Sequence, residues 1–497
     1  MMKRLCFVIL FFYSQVSFGQ KESQDSLTVI SPALLEEFYG PVSFHEHQGK
    51  EFKSPLRIKA KSDYMVSTGG SISKEMAHVY TGYLQGGLTL KSRNKTLELD
   101  YSIASVGLGN YMSAFADSTG VLSGFGVATQ EKLGYFTNRL RGRFNWQMSK
   151  HLNLEFGNHT NFWGHGYRSM VLGENMSPYP YLKLTTKVWK IKYTNLFMQL
   201  RDLQKDLPWK DSRQKYVAMH AIDFKASENL SFTIFESVVW QSSDTLSNRN
   251  FDMNYLNPVI FYRPLEFSQG SADNVLLGIA ARLKVDKNFM WYGQLFLDEF
   301  LLSEVRNRAG WWANKVGVQI GVQATDLIPG LWAYTEFNSA RPFTYTHGSV
   351  LQNYGHRNQS LAHPLGTNFY EWSSGAQLEK NNWVFTGRFN WALYGRDKEG
   401  SNYGGDVFRS YKEPFRVFEN KIGQGNTHHS YITQLTASKK IWKNKNLYFL
   451  GSYNWRHVKD QFSLNNEHVF SIGISSTVHR INSRNSEGSM PNFSNDF

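Results

Sequence analysis

The stretch WGHGYRSMVLGENMSPYPYLKL, from Trp163 to Leu184, gathers residue types that recognise hydroxylated and anionic ligands. Trp163, Tyr167 and Tyr181 offer flat aromatic faces, His165 an imidazole, and Arg168 a planar fork of donors matched to a carboxylate or to neighbouring hydroxyls. A second stretch, NFDMNYLNPVIFYRPLEF from Asn250 to Phe267, repeats the mixture with Asn254, Tyr255, Arg263 and Glu266. A structural reading stands beside the binding one. Gly164 and Gly166 let the chain fold tightly, and Arg168, Arg263 and Glu266 pair to satisfy buried charge.

Other chemistries find little support. His428 and His429 come without a cysteine or a spaced carboxylate pair, so no metal site is expected. Asp252, Asn254 and Asp273 lack an EF-hand register. No G-x-S-x-G or H-E-x-x-H motif occurs, so no catalytic residue, no cofactor and no enzyme activity is expected.

The elements that must position these loops alternate with a period of two. From Phe136 to Met148, Phe136, Leu140, Phe144, Trp146 and Met148 share one face, while Arg139, Arg141 and Arg143 share the other. The same pattern recurs over Trp383–Leu393, Leu447–Trp455 and Phe470–Ile474. A soluble sandwich prefers aliphatic residues on its buried face. Here the apolar faces begin or end in aromatics, and three arginines in a row belong on a watery lumen wall, with the opposite face turned to lipid.

The N-terminus agrees with export. Lys3 and Arg4 precede an apolar Leu5–Tyr13 run, and Ser17, Phe18 and Gly19 suit a signal peptidase. Cys6, the only cysteine, lies within that segment, so the rest of the chain is held without disulfides. The formal charge of +13 is scattered rather than massed in a tail, and export makes nucleic acid an unlikely partner; anionic lipid or an acidic polymer fits better.

Connections fall into two lengths. Short polar turns occur near 149–150, 286–288, 379–382 and 443–446, and long glycine- and aromatic-rich links near 157–182, 241–274, 338–371 and 396–429. The expected fold is therefore all-β: a transmembrane antiparallel β-barrel of about 18 strands (roughly 16–20) at about 10 residues each. The expected division is a signal segment at 1–19, a leader at 20–60, the barrel at 61–480 and a polar tail at 481–497. Within the leader, Ser31 to Gly40 reads as a short helix near the periplasmic mouth. Trp311 and Trp312 are expected in an interfacial girdle.

The segment GNHTNFWGHGYRSMVLGENMSPYPYLKL resembles the signature loop of the Wzi-type capsule-assembly barrels. Together with NFDMNYLNPVIFYRPLEFSQGSADNVLLG, it is closer still to the gliding motility RemB proteins. The resemblance implies an outer-membrane barrel that holds or organises surface polysaccharide and, in the RemB branch, takes part in gliding. Implied partners are surface polysaccharide, outer-membrane lipid or lipopolysaccharide, and proteins of a gliding or export machinery. A different reading is a general or anion-preferring porin, with Arg139, Arg141 and Arg143 able to form a constriction for anions. In either case the purified protein should give a strand-dominated circular dichroism spectrum and a mobility on gels that changes with boiling. A helix-rich spectrum would contradict the barrel.

Overall fold

The computed structural model describes residues 56–478, except 74, 123–124, 133, 204–211, 244–249, 258–272, 399 and 443–445. The signal segment, the helix expected at Ser31–Gly40, the tail, and Arg263 and Glu266 lie outside the described residues.

Eighteen long antiparallel strands form one closed barrel among the described residues. They are β1 (Arg57–Ile72), β2 (Met76–Ser92), β3 (Lys95–Gly107), β4 (Gly134–Gln147), β5 (Leu152–His159) and β6 (Tyr179–Val188). Then follow β7 (Ile191–Asp202), β8 (Arg213–Lys225), β9 (Leu230–Gln241), β10 (Asn274–Lys284), β11 (Phe289–Leu297) and β12 (Val316–Thr325). The circuit ends with β13 (Leu331–Ala340), β14 (Phe369–Lys380), β15 (Trp383–Arg396), β16 (Asn426–Lys440), β17 (Tyr448–Lys459) and β18 (Leu464–Ser475). Each long strand pairs with its successor, and β1 closes on β18 from Met65↔Ser475 to Ile72↔His468. Closure satisfies strand edges that lipid could not. No helix among the described residues is long and apolar enough to cross a membrane. The first strand starts at Arg57, four residues before the expected barrel boundary.

The alternation on β4 resolves as expected. Arg141 and Arg143 stand opposite Asp100 and Glu98 of β3 and pair with them at 2.8 and 2.6 Å. Arg139 lies over the Phe125 ring inside the barrel. Leu140, between them, is 61% exposed on the outer wall. Phe385 and Phe389 likewise face out while Arg388 is buried.

The end where β1 begins and β18 finishes has tight turns. Asn381 and Asn382 both adopt the left-handed conformation between β14 and β15, the geometry that matches strand twist in a two-residue hairpin. At the turn between β10 and β11, Asp286 accepts from the backbone of Asn288 and Phe289. The opposite end carries the long links expected near 157–182, 241–274, 338–371 and 396–429, joined by two that the sequence reading did not single out, 108–133 and 298–315. The first of these contains α1 (Asn110–Thr119), whose Met112 and Phe115 are fully buried inside the barrel. Arg456 of β17, also buried, lies over Tyr111 of that helix.

A charge on the lipid side of a barrel strand costs about 2–4 kcal/mol at mid-bilayer. Leu140→Arg should therefore abolish heat-modifiable barrel, whereas Arg141→Gln should keep it. Equal tolerance of both substitutions would mean that the faces of β4 are reversed.

Candidate functional site

The 160–178 link does not stand above the barrel. It turns back into the lumen and is buried along most of its length. An antiparallel bridge from Trp163 N to Leu172 O, 2.9 Å, closes it into a compact plug. Glycine makes the seating possible: a Cβ on Gly166 would lie 2.5 Å from the Tyr292 ring and 2.6 Å from the Glu336 carboxylate.

Strand residues receive the backbone of the plug. Gln294 of β11 donates to Trp163 O at 3.1 Å and accepts from Met170 N at 2.7 Å. Gln319 of β12 donates to Arg168 O at 2.8 Å, and Gln323 donates to His165 O at 2.6 Å. These amides satisfy polar backbone that the irregular loop would otherwise bury unpaired.

Two buried carboxylates organise the charge. Glu336 of β13 accepts from the backbone N–H groups of Tyr167 and Arg168 at 2.8 and 2.9 Å, and from the Tyr292 hydroxyl at 2.8 Å. Glu371 of β14 meets the Arg168 guanidinium at 3.2 Å and His363 Nε2 at 2.7 Å. Asn338, opposite Glu371 in register, donates to both carboxylates. Arg168 is 1% exposed. Tyr167 is stacked on Tyr334 with ring centres 5.0 Å apart, and Arg388 lies over it at 4.9 Å. Packing around the His165 imidazole, with Arg282 and Lys192 near it, pushes its pKa down to about 3, so it is neutral.

The 341–368 link closes over this plug. Tyr345 and Tyr354 donate their hydroxyls to Met170 O and Val171 O, both at 2.8 Å, and Gly173 N donates to Leu361 O at 2.7 Å. Phe343 and Tyr345 hold positive φ angles of 67° and 71°. Such strain costs about 1–3 kcal/mol per residue and persists where surrounding contacts enforce it. Here they do: Phe343 N donates to Gly404 O, and Tyr345 N to Asp298.

The sequence candidates therefore divide. Trp163, His165, Tyr167 and Arg168 come together in the plug. Tyr181 lies on β6, where its hydroxyl donates to Glu155 at 2.6 Å. Tyr255 is buried away from the plug, packed on Trp240 with its hydroxyl on Asp273 at 2.6 Å, while Asn254 is exposed. Of the second candidate loop, 250–266, residues 258–266 lie outside the described residues; among the described residues the plug packs against 341–368, through Tyr345, Tyr354 and Leu361. Glu266, the expected partner for one of Arg168 and Arg263, lies outside the described residues; Glu371 on the barrel wall meets Arg168. Trp312 is not a lipid-facing girdle residue: it packs on Phe343 and Tyr411 in the loop cluster, with Lys315 over its ring. His428 is buried against Tyr394 and 3.5 Å from Asp460. The residues missed from sequence are Glu336, Asn338 and Glu371. They sit on inward positions of strands, a pattern that alternation reveals, but which loop they meet is a tertiary fact.

No family model and no curated protein matches the chain. Among solved structures, it is similar to Wzi of Escherichia coli, an outer membrane protein involved in group 1 capsule assembly and described as a carbohydrate-binding β-barrel. The two share 13% identity with a TM-score of 0.53, over 84% of this chain and 85% of that one. OprD of Pseudomonas aeruginosa matches at 9% identity and a TM-score of 0.43, over 85% of this chain and 96% of that one. The chain thus has a Wzi-like outer-membrane barrel fold.

Removing one member of a buried ion pair typically costs about 3–5 kcal/mol. Arg168→Ala should leave the barrel assembled but loosen the plug, read as faster proteolysis within 160–178 and 341–368 and a lower melting temperature. Adding Glu371→Gln should recover part of that loss. A double variant no better than the single one would show that the pair does not seat the plug.

Proposed function

We propose that this protein resides in the bacterial outer membrane and binds or organises surface polysaccharide. The observation that carries the proposal is the filled lumen: the 160–178 and 341–368 links pack it with buried side chains tied to β11–β14. A diffusion porin needs an open aqueous path. The likeness to a carbohydrate-binding barrel supports the same reading, and the resemblance of the two loops to RemB proteins extends it to surface gliding, with gliding or export machinery as protein partners. Lipid and lipopolysaccharide surround the outer wall.

In this reading Trp163, His165, Tyr167 and Arg168 shape the plug, Tyr181 belongs to the wall beside it, and the polymer meets the exposed rim above. The 298–315 and 397–425 links are joined there by Trp312 N to Val417 O and by Glu419 N to Ala309 O. Phe415 is 50% exposed, with the Arg416 guanidinium 5.3 Å above its ring. This pairs a stacking face with a cation. Asn254 adds an exposed amide on a neighbouring link.

The porin reading rests on the Arg139, Arg141 and Arg143 row, of which Arg141 and Arg143 are ion-paired along the wall. Purified protein in planar bilayers should give no stepwise ion conductance; regular conductance steps would favour the porin. Phe415→Ala with Arg416→Ala should lower cell-bound polysaccharide several-fold at unchanged barrel abundance. Unchanged polysaccharide and unchanged motility at normal abundance would defeat the rim as the binding surface.

A further inference from the structure

The apolar outer wall of β11 and β12 does not stop where the strands do. Phe289 and Trp291 of β11 and Val318 and Ile320 of β12 are exposed on that wall. Past Leu297 the two chains stay paired, Asp298 N donating to Lys315 O at 3.1 Å and Lys315 N to Glu299 O at 2.9 Å. The next residues are again apolar and exposed: Phe300, Leu301, Leu302 and Val305, at 43–49%. Leu302 and Val305 belong to a short helix, α2 (Leu302–Arg306), none of whose residues is buried. Leu301 N donates to Asn314 Oδ1 at 2.8 Å, which fixes the start of the helix to the end of the hairpin.

Depth sets what this lip meets. At about 3.3 Å per residue and a tilt near 40°, a strand climbs roughly 2.5 Å per residue and crosses the ~25 Å apolar band in about ten. Phe300 lies eleven positions beyond Phe289, the residue that starts β11 at the short-turn end. The lip therefore sits where the apolar band gives way to the headgroups of the outer leaflet. The inner side of the same link is already filled, with Trp312 packed on Phe343 and Tyr411 and Ala313, Asn314 and Lys315 buried. The apolar run takes no part in that packing and prolongs the outer wall instead.

Cations follow at once. Arg306 and Arg308 are exposed, and neither forms an ion pair among the described residues. Of the two carboxylates between residues 299 and 308, Glu299 is held by Lys315 at 2.9 Å, which leaves Glu304 against two arginines. Exposed apolar side chains followed directly by guanidinium groups suit a segment that lies in a lipid interface and meets anionic headgroups.

We propose that this lip binds lipid A of the outer leaflet, with Arg306 and Arg308 on a phosphate and Phe300, Leu302 and Val305 against acyl chains. Guanidinium groups match phosphate with paired donors. A zwitterionic phospholipid carries its own ammonium beside the phosphate and gains less from two arginines. Free inorganic phosphate would leave the apolar run uncovered. The site rests on the outer-membrane location proposed above but not on the polymer reading, whose residues Phe415 and Arg416 it does not use.

Native mass spectrometry of the full-length protein in mild detergent tests it, with bisphosphorylated lipid A, dephosphorylated lipid A, phosphatidylethanolamine and inorganic phosphate as separate probes. Bisphosphorylated lipid A should be retained at least about tenfold better than either other lipid. Arg306→Gln with Arg308→Gln should lower its retention about tenfold, and Leu302→Asn with Val305→Asn several-fold, at unchanged heat-modifiable mobility. Phe415→Ala with Arg416→Ala should leave retention as it is, which separates this site from the rim. Native retention in the double arginine variant, equal retention of the dephosphorylated lipid, or displacement of lipid A by equimolar inorganic phosphate would each overturn the site. Absence of the barrel from the outer-membrane fraction of cells would overturn the location on which it rests, a failure read without any of these variants.

Discussion

Two carboxylates buried inside the barrel, Glu336 and Glu371 on adjacent strands, set the terms for the lumen. Charge away from water must be answered by opposite charge or by several donors, or the site is strongly unfavourable. The barrel wall alone supplies only Tyr292 and Asn338 among the bonds described for them. The remaining donors come from the loops: two backbone N–H groups and the guanidinium of 167–168, and the imidazole of His363. The carboxylates and the plug thus require each other, and the filled lumen follows from that requirement.

The plug then separates the two ends. Above it, the 298–315, 341–368 and 397–425 links knit into a rim through backbone pairing and the Trp312, Phe343 and Tyr411 contacts. Below it, Phe162 and Trp163 roof a polar cavity whose walls are strand residues. One short segment therefore supports a surface on one side and bounds a recess on the other.

This arrangement accounts for residues that look like ligand contacts yet are hidden. Trp163, Tyr167 and Arg168 have the chemistry of sugar recognition, but the same aromatic faces and planar donors also suit a plug that must stack, hydrogen-bond and neutralise charge in a confined lumen. Burial decides between the two uses. Arg168 is spent on Glu371, and Tyr167 is sandwiched by Tyr334 and Arg388. The exposed positions with comparable chemistry, such as Phe415 with Arg416, lie in a link whose sequence carries no local signal to set them apart.

The barrel was legible in the sequence because a strand with lipid on one face and a polar lumen on the other must alternate at every step. The outward Leu140 and the inward arginines of β4 show that rule residue by residue. The division into short turns and long links was legible as well, since glycine, asparagine and aspartate mark tight reversals locally. The inward helix α1, the pairing of 160–178 with 341–368, and the choice of Glu371 for Arg168 were not. Each joins residues far apart in the chain: 168 and 371 are separated by 203 positions. Alternation states which way a side chain points but not what waits across the lumen. The sequence by itself determined the wall and its two faces, because those depend on neighbouring residues and the surrounding solvent. Only the tertiary structure decided what fills the barrel, because that depends on which buried charges and orphaned backbone groups closure brings together.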